Sequence, residues 1–81
     1  MGIITNEMRR NLNQVGFKIR RPRNGLVIIK RKTIILEIFK WYNGWIVRTA
    51  AEDSYFDDLE RVHRLLRTLK NAYNAKNFFG R

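Results

Sequence analysis

The chain has 81 residues, of which 44% are hydrophobic and 30% charged, a balance that fits one small folded domain and excludes a disordered segment. It has no cysteine, so disulfides, thiolate zinc sites and cysteine nucleophiles are excluded. Seventeen Lys and Arg against seven Asp and Glu give a net charge of +10, which argues against a mimic of DNA and for a polyanionic partner or an acidic surface.

The charge is uneven. Residues 1–50 hold eleven bases and two acids, a balance of +9, while residues 51–81 hold six bases and five acids, a balance of +1. Ile3 and Ile4 are followed at once by Asn6, Glu7, Arg9 and Arg10, so no signal-peptide core forms. No apolar run approaches the roughly 20 residues a membrane helix needs. The expectation is a soluble, intracellular, cytoplasmic chain with no membrane partner.

Thr5 to Val15 reads as a helix, capped by Thr5 or Asn6 and ended by Gly16. Ile4, Met8, Leu12 and Val15 form its apolar stripe, and Arg9 and Arg10 fall outside it. Phe17 to Arg21 alternates apolar and basic residues, as a half-buried strand does. Pro22-Arg23-Asn24-Gly25 reads as a turn with Gly25 in the left-handed position of a three-residue loop, which pairs Ile19 with Ile29. Leu26 to Lys30 is a second strand and Arg31-Lys32 a tight turn. Thr33 to Tyr42 and Trp45 to Ala50 are the third and fourth strands. Between them lies Asn43-Gly44, the strongest short-range hairpin signal in the chain, which as a two-residue loop sets Tyr42 opposite Trp45 and Lys40 opposite Val47.

Ala51 to Tyr55 reads as a linker and Phe56 to Tyr73 as a helix with the stripe Leu59, Val62, Leu66, Leu69 and Tyr73. Ser54 or Asp53 can cap it, and Asp57–Arg61 and Glu60–Arg64 are spaced as ion pairs. The predicted fold is α+β and two-layered: an N-terminal helix, a four-stranded antiparallel meander and a long C-terminal helix. It forms a single domain over 1–76, with a tail over 77–81.

The alternation gives the sheet two faces. Phe17, Ile19, Val27, Ile29, Ile34, Leu36, Ile38, Trp45 and Val47 share the core face. Lys18, Arg20, Ile28, Lys30, Ile35, Phe39, Trp41 and Arg48 share the other, with the acid Glu37. Cations neutralise phosphates and flat rings stack on bases, so this second face can bind nucleic acid. The candidate residues are Lys18, Arg20, Arg23, Lys30, Arg31, Lys32, Phe39, Lys40, Trp41 and Arg48. The alternatives are a dimer or other protein interface, and an apolar layer covered by the first helix.

No catalytic set is legible. His63 is the only histidine and sits at the edge of a helix stripe, where a packed or rim role is commoner than general-base work. Glu52, Asp53, Asp57 and Asp58 cluster near a helix start, which capping explains without a metal. No phosphate-binding glycine loop, nucleophile elbow or zinc spacing occurs, and no cofactor is implied. The order helix, antiparallel strands, helix is similar to the double-stranded-RNA-binding domain and to small ribonuclease toxins of the HicA kind. A four-stranded sheet with a long final helix also resembles a positive-cofactor type of single-strand-binding fold, which is dimeric. Asp57, Asp58 and Glu60 stand where the RNA-binding domain opens its last helix with a basic cluster, and the toxin's Gly-Ser-His strand motif is absent, so the likeness is one of topology.

The expected function is non-catalytic nucleic-acid binding through the basic, aromatic sheet face and its loops. The alternative is a protein-interaction module aimed at an acidic protein or a ribonucleoprotein, such as a phage-encoded anti-CRISPR inhibitor. A small basic RNase ranks third.

Overall fold

Thr5 has extended backbone and its hydroxyl accepts a hydrogen bond from the Met8 N–H, so α1 (Asn6–Gln14) begins at its expected cap. Gly16 ends it with a φ of +96°, where an L side chain is disfavoured. The computed structural model describes the backbone of residues 3–79 and the side chains of residues 3–73. After α1 come β1 (Lys18–Arg23), β2 (Leu26–Arg31), β3 (Ile34–Trp41), β4 (Gly44–Arg48), β5 (Asp53–Phe56) and α2 (Leu59–Phe79). The strands form one antiparallel sheet in the order β1-β2-β3-β4-β5. The α+β, two-layer class is as expected, but the sheet has five strands rather than four.

The fifth strand replaces the expected linker. Trp45 pairs with Phe56, Val47 with Ser54 and Arg48 with Asp53, so 53–56 closes the sheet edge and α2 starts at Leu59, not Phe56. The cap is Asp58, whose carboxylate accepts from the Glu60 N–H at 3.0 Å. Thr49 shapes the β4–β5 loop by accepting from the Ala51 and Glu52 N–H groups. Glu60 pairs with Arg67, two turns along the helix, rather than with Arg64. The helix also runs past Tyr73 to Phe79; of the tail assigned to 77–81, Gly80 and Arg81 lie outside the described residues.

The hairpin loops differ from the sequence reading in a consistent way. The β2–β3 loop is Lys32-Thr33 and the β3–β4 loop is Tyr42-Asn43. Lys32 and Tyr42, the first residue of each loop, take a φ of 54°. Lys40 therefore faces Trp45 instead of Val47, a slip of two residues. A two-residue slip keeps each side chain on its face, because strands alternate with a period of two. In the first hairpin the loop is Asn24-Gly25, with Gly25 at a φ of +80°. The pairing steps by one residue between Arg20 and Arg23, so Arg21 and Pro22 bulge out of the β1 edge. Proline has no N–H to donate, and a bulge at an edge is where it fits. This bulge absorbs the residue that the longer loop would have held, and Ile19 still pairs with Ile29.

Both helices cover the same face. Leu12 and Val15 of the α1 segment, Val62 and Leu66 of α2, and Phe17, Val27, Ile29, Leu36, Ile38 and Val47 of the sheet side are all buried in one cluster. Ile19, Ile34 and Trp45, expected on the same core face, pack against this cluster but are only partly buried, and full burial of such side chains contributes about 1.5–3 kcal/mol each before conformational entropy is subtracted. The alternative in which α1 covers the second face is overturned: α1 packs beside α2, and the second face has no helix over it.

Candidate nucleic-acid interface

The register arranges the uncovered face in rungs. Lys18 faces Lys30, and Lys30 faces Ile35. Arg20, Ile28, Glu37, Arg48 and Asp53 run across all five strands. Arg23, Leu26, Phe39, Ile46 and Tyr55 form the next rung, and Trp41 faces Gly44 at the end. The face is thus cationic along β1 and β2, apolar in the middle, and mixed near β5.

The cationic end is concave. Lys18, Arg20, Lys30, Arg31 and Lys32 line a cavity of about 380 Å³ with Gly16 at its rim. No carboxylate lines it. Among the described residues the ion pairs are Arg48 with Glu37 and Asp53, and Arg67 with Glu60, so Lys18, Arg20, Lys30 and Lys32 hold no acidic partner. Lys18 and Lys30 stand directly opposite each other, an arrangement that costs stability unless an anion lies between them.

Three candidate cations are placed otherwise. Arg31 lies on the helix face by strand parity. Its Nε donates to the Val15 carbonyl at 2.9 Å, and its guanidinium sits 4.6 Å from the centre of the Tyr73 ring. It fastens the end of α1 and α2 to the sheet, with part of its stem at the cavity wall. Lys40 also lies on the helix face, its ammonium 4.2 Å from the centre of the Trp45 ring. Arg23 stands at the far end of β1 and lines a separate cavity of about 290 Å³ with Ile3, Arg21 and Val27. Parity with Val27 and Ile29, and with Leu36 and Ile38, was the sequence signal for the positions of Arg31 and Lys40.

Arg48 is on the expected face but is neutralised. It donates two hydrogen bonds to Asp53, at 3.0 and 3.1 Å, and approaches Glu37 at 4.0 Å. The hydrogen bonds, and then the Asp53 charge, hold the Arg48 guanidinium above its usual pKa; the same hydrogen bonds and the guanidinium's positive charge hold the Asp53 carboxyl below its own. The same guanidinium lies 5.2 Å from the centre of the Phe39 ring. Phe39 is half-buried beneath it, and its ring meets Trp41 edge to face at 6.5 Å.

Trp41 is 49% exposed and Tyr42, its neighbour in the loop, 82% exposed, the two rings perpendicular at 5.1 Å. The chain matches no family model, no curated protein and no solved structure. The site therefore rests on its own geometry. That geometry adds two residues absent from the sequence reading, Tyr42 and the 51% exposed Tyr55. Tyr55 is not visible in the sequence because the 53–56 strand has the composition of a linker, and Tyr42 because it continues the β-branched and aromatic run of β3 into the loop.

Three of the remaining candidates for chemistry, His63, Asp53 and Asp58, have structural partners. His63 is half-buried, and its Nε2 donates to the Ile3 carbonyl at 2.8 Å, tying the segment before α1 to α2. Asp53 holds Arg48 and Asp58 caps α2. No described helix is long and apolar enough to cross a membrane.

Proposed function

We propose that this chain is a nucleic-acid-binding module without chemistry of its own, acting through the face of the sheet that the helices leave uncovered. The observation that carries this reading is the concavity of Lys18, Arg20, Lys30 and Lys32, which no acid neutralises and which opens onto a face ending in exposed aromatic rings. Unpaired cations on a rigid sheet release counterions when they meet phosphates, and that release supplies affinity without a sequence code. Arg31 shapes the pocket wall, while Arg48 and Lys40 are held by their own neighbours.

The test is titration of a fluorescent oligonucleotide at several salt concentrations. Affinity falls steeply with salt, and the double charge reversal Arg20→Glu with Lys30→Glu lowers it by tenfold or more and flattens the salt dependence by about two ions. Both side chains are exposed, so the fold is retained. Equal affinity and slope for the reversed protein would remove the concavity from the site.

A second reading, a protein-interaction module, draws on the apolar middle of the same face. Leu26, Ile28, Phe39 and Ile46 are half-buried there and Ile35 is 45% exposed. An acidic protein, a ribonucleoprotein or a second copy of the chain would cover such a patch. A partner that stays bound after nuclease treatment distinguishes this reading from the first.

A further inference from the structure

We infer that the ligand of this face is a single strand, and that the β3–β4 loop carries its base-stacking element, Trp41 and Tyr42; this rests on the nucleic-acid reading above. A duplex keeps the faces of its bases stacked on one another and offers protein only its grooves and phosphates. Rings exposed at a loop reach base faces in a duplex only by prying a base step apart, whereas unpaired bases stack on them directly. Phe39 is poorly available for this, because the Arg48 guanidinium lies over its ring and Asp53 fixes that guanidinium. The open rings are those of Trp41 and Tyr42, and their perpendicular arrangement leaves ring surface of both free.

Tyr42 itself is placed at a cost. A φ of 54° is left-handed backbone, which disfavours an aromatic side chain and suits Asn or Gly. The loop nonetheless puts tyrosine there, with Asn43 beside it, and leaves the ring 82% exposed. Lys32 takes the same φ at the first position of the β2–β3 loop, so strand pairing sets this backbone; what sets Tyr42 apart is the exposed ring it presents beside Trp41.

Charge placement agrees. The unpaired cations lie on β1, β2 and the Lys32 loop, while β5 lies four strand spacings, about 19 Å, from β1. Glu37 and Asp53 put carboxylates in the middle of the face and at its β5 side. A ligand with phosphates on both flanks would bring its second rail onto those acids. A single strand can lay its backbone on the cation side and run some 20 Å, the six steps along β3 from Ile35 to Trp41, with its bases turned to the apolar middle and the loop.

The experiment compares oligothymidylate and oligouridylate of about eight nucleotides with a blunt mixed-sequence DNA duplex, at low salt, by anisotropy. The single strands bind at least tenfold tighter per site than the duplex. Trp41→Ala weakens single-strand binding by about 5- to 100-fold, Tyr42→Asn weakens it less, and both leave duplex binding unchanged. Tyr42→Asn suits the left-handed backbone, so its loss of binding cannot come from misfolding, and circular dichroism checks the Trp41 variant. Duplex binding as tight as single-strand binding, or unchanged single-strand affinity in both variants, would overturn the inference and leave the nucleic-acid reading standing. No binding to any of the three probes would overturn both.

Discussion

The chain contains the dipeptide Asn-Gly twice, and the two copies are used differently. Asn24-Gly25 is the whole β1–β2 loop, and Gly25 takes the left-handed φ of +80° that the turn requires, with open space around it. Asn43-Gly44 is split: Asn43 closes the β3–β4 loop and Gly44 is the first residue of β4, buried. A Cβ on Gly44 would collide with the Phe56 carbonyl and the Tyr55 ring. The second glycine is therefore needed for close approach of β5, a contact from 12 residues further along the chain, and not for turn conformation. Turn chemistry is local, and it yields when a distant strand competes for the same residue.

Alanine at the two glycines separates the two roles. Gly44→Ala gives the largest effect, because its nearest obstacle is backbone that cannot rotate away. A loss of about 3 kcal/mol in urea unfolding is expected, the upper range of overpacking costs. Gly25→Ala meets no atom and costs only the left-handed conformation, about 1 kcal/mol. Equal losses at both positions would mean that β5 is not packed against Gly44 in solution. An unchanged dependence on urea in both variants would show that the losses are of stability and not of compactness.

The same contrast explains what was legible in the sequence. The two faces were readable because Ile34, Leu36 and Ile38, or Val27 and Ile29, alternate with polar or outward residues, and slips of two residues leave that alternation intact. The caps Thr5 and Gly16 were readable because their requirements are local. The loops at Lys32-Thr33 and Tyr42-Asn43 were not, since Lys32 and Tyr42 are poor residues for left-handed backbone and only pairing with neighbouring strands holds them there. β5 was hidden because four residues, Asp-Ser-Tyr-Phe, open with two that read equally well as a helix cap. Of the candidate site, the cations of β1 and β2 were in view, but the pairing of Arg48 with Asp53 depends on β5 and went with it.

That pair gives the smallest expected effect and tests the same long-range docking of β5 from its other end. Asp53 has a carboxyl pKa below its ordinary 3.8, held there first by its hydrogen bonds with Arg48. A group whose pKa is lower in the folded state adds stability at pH values above the unfolded pKa, and that stability fades as pH falls through the folded one. The stability difference between the native protein and Asp53→Asn should thus be constant from neutral pH to about pH 5 and shrink below 3.8. Both side chains are solvent-exposed, so salt should reduce the difference as well. The substitution also removes the closer of the two acids paired with Arg48, leaving only Glu37 at 4.0 Å, and a modest rise in oligonucleotide affinity is expected. If affinity falls instead, the Asp53–Arg48 clamp over Phe39 contributes to the binding surface by fixing its shape rather than by withholding a charge from it.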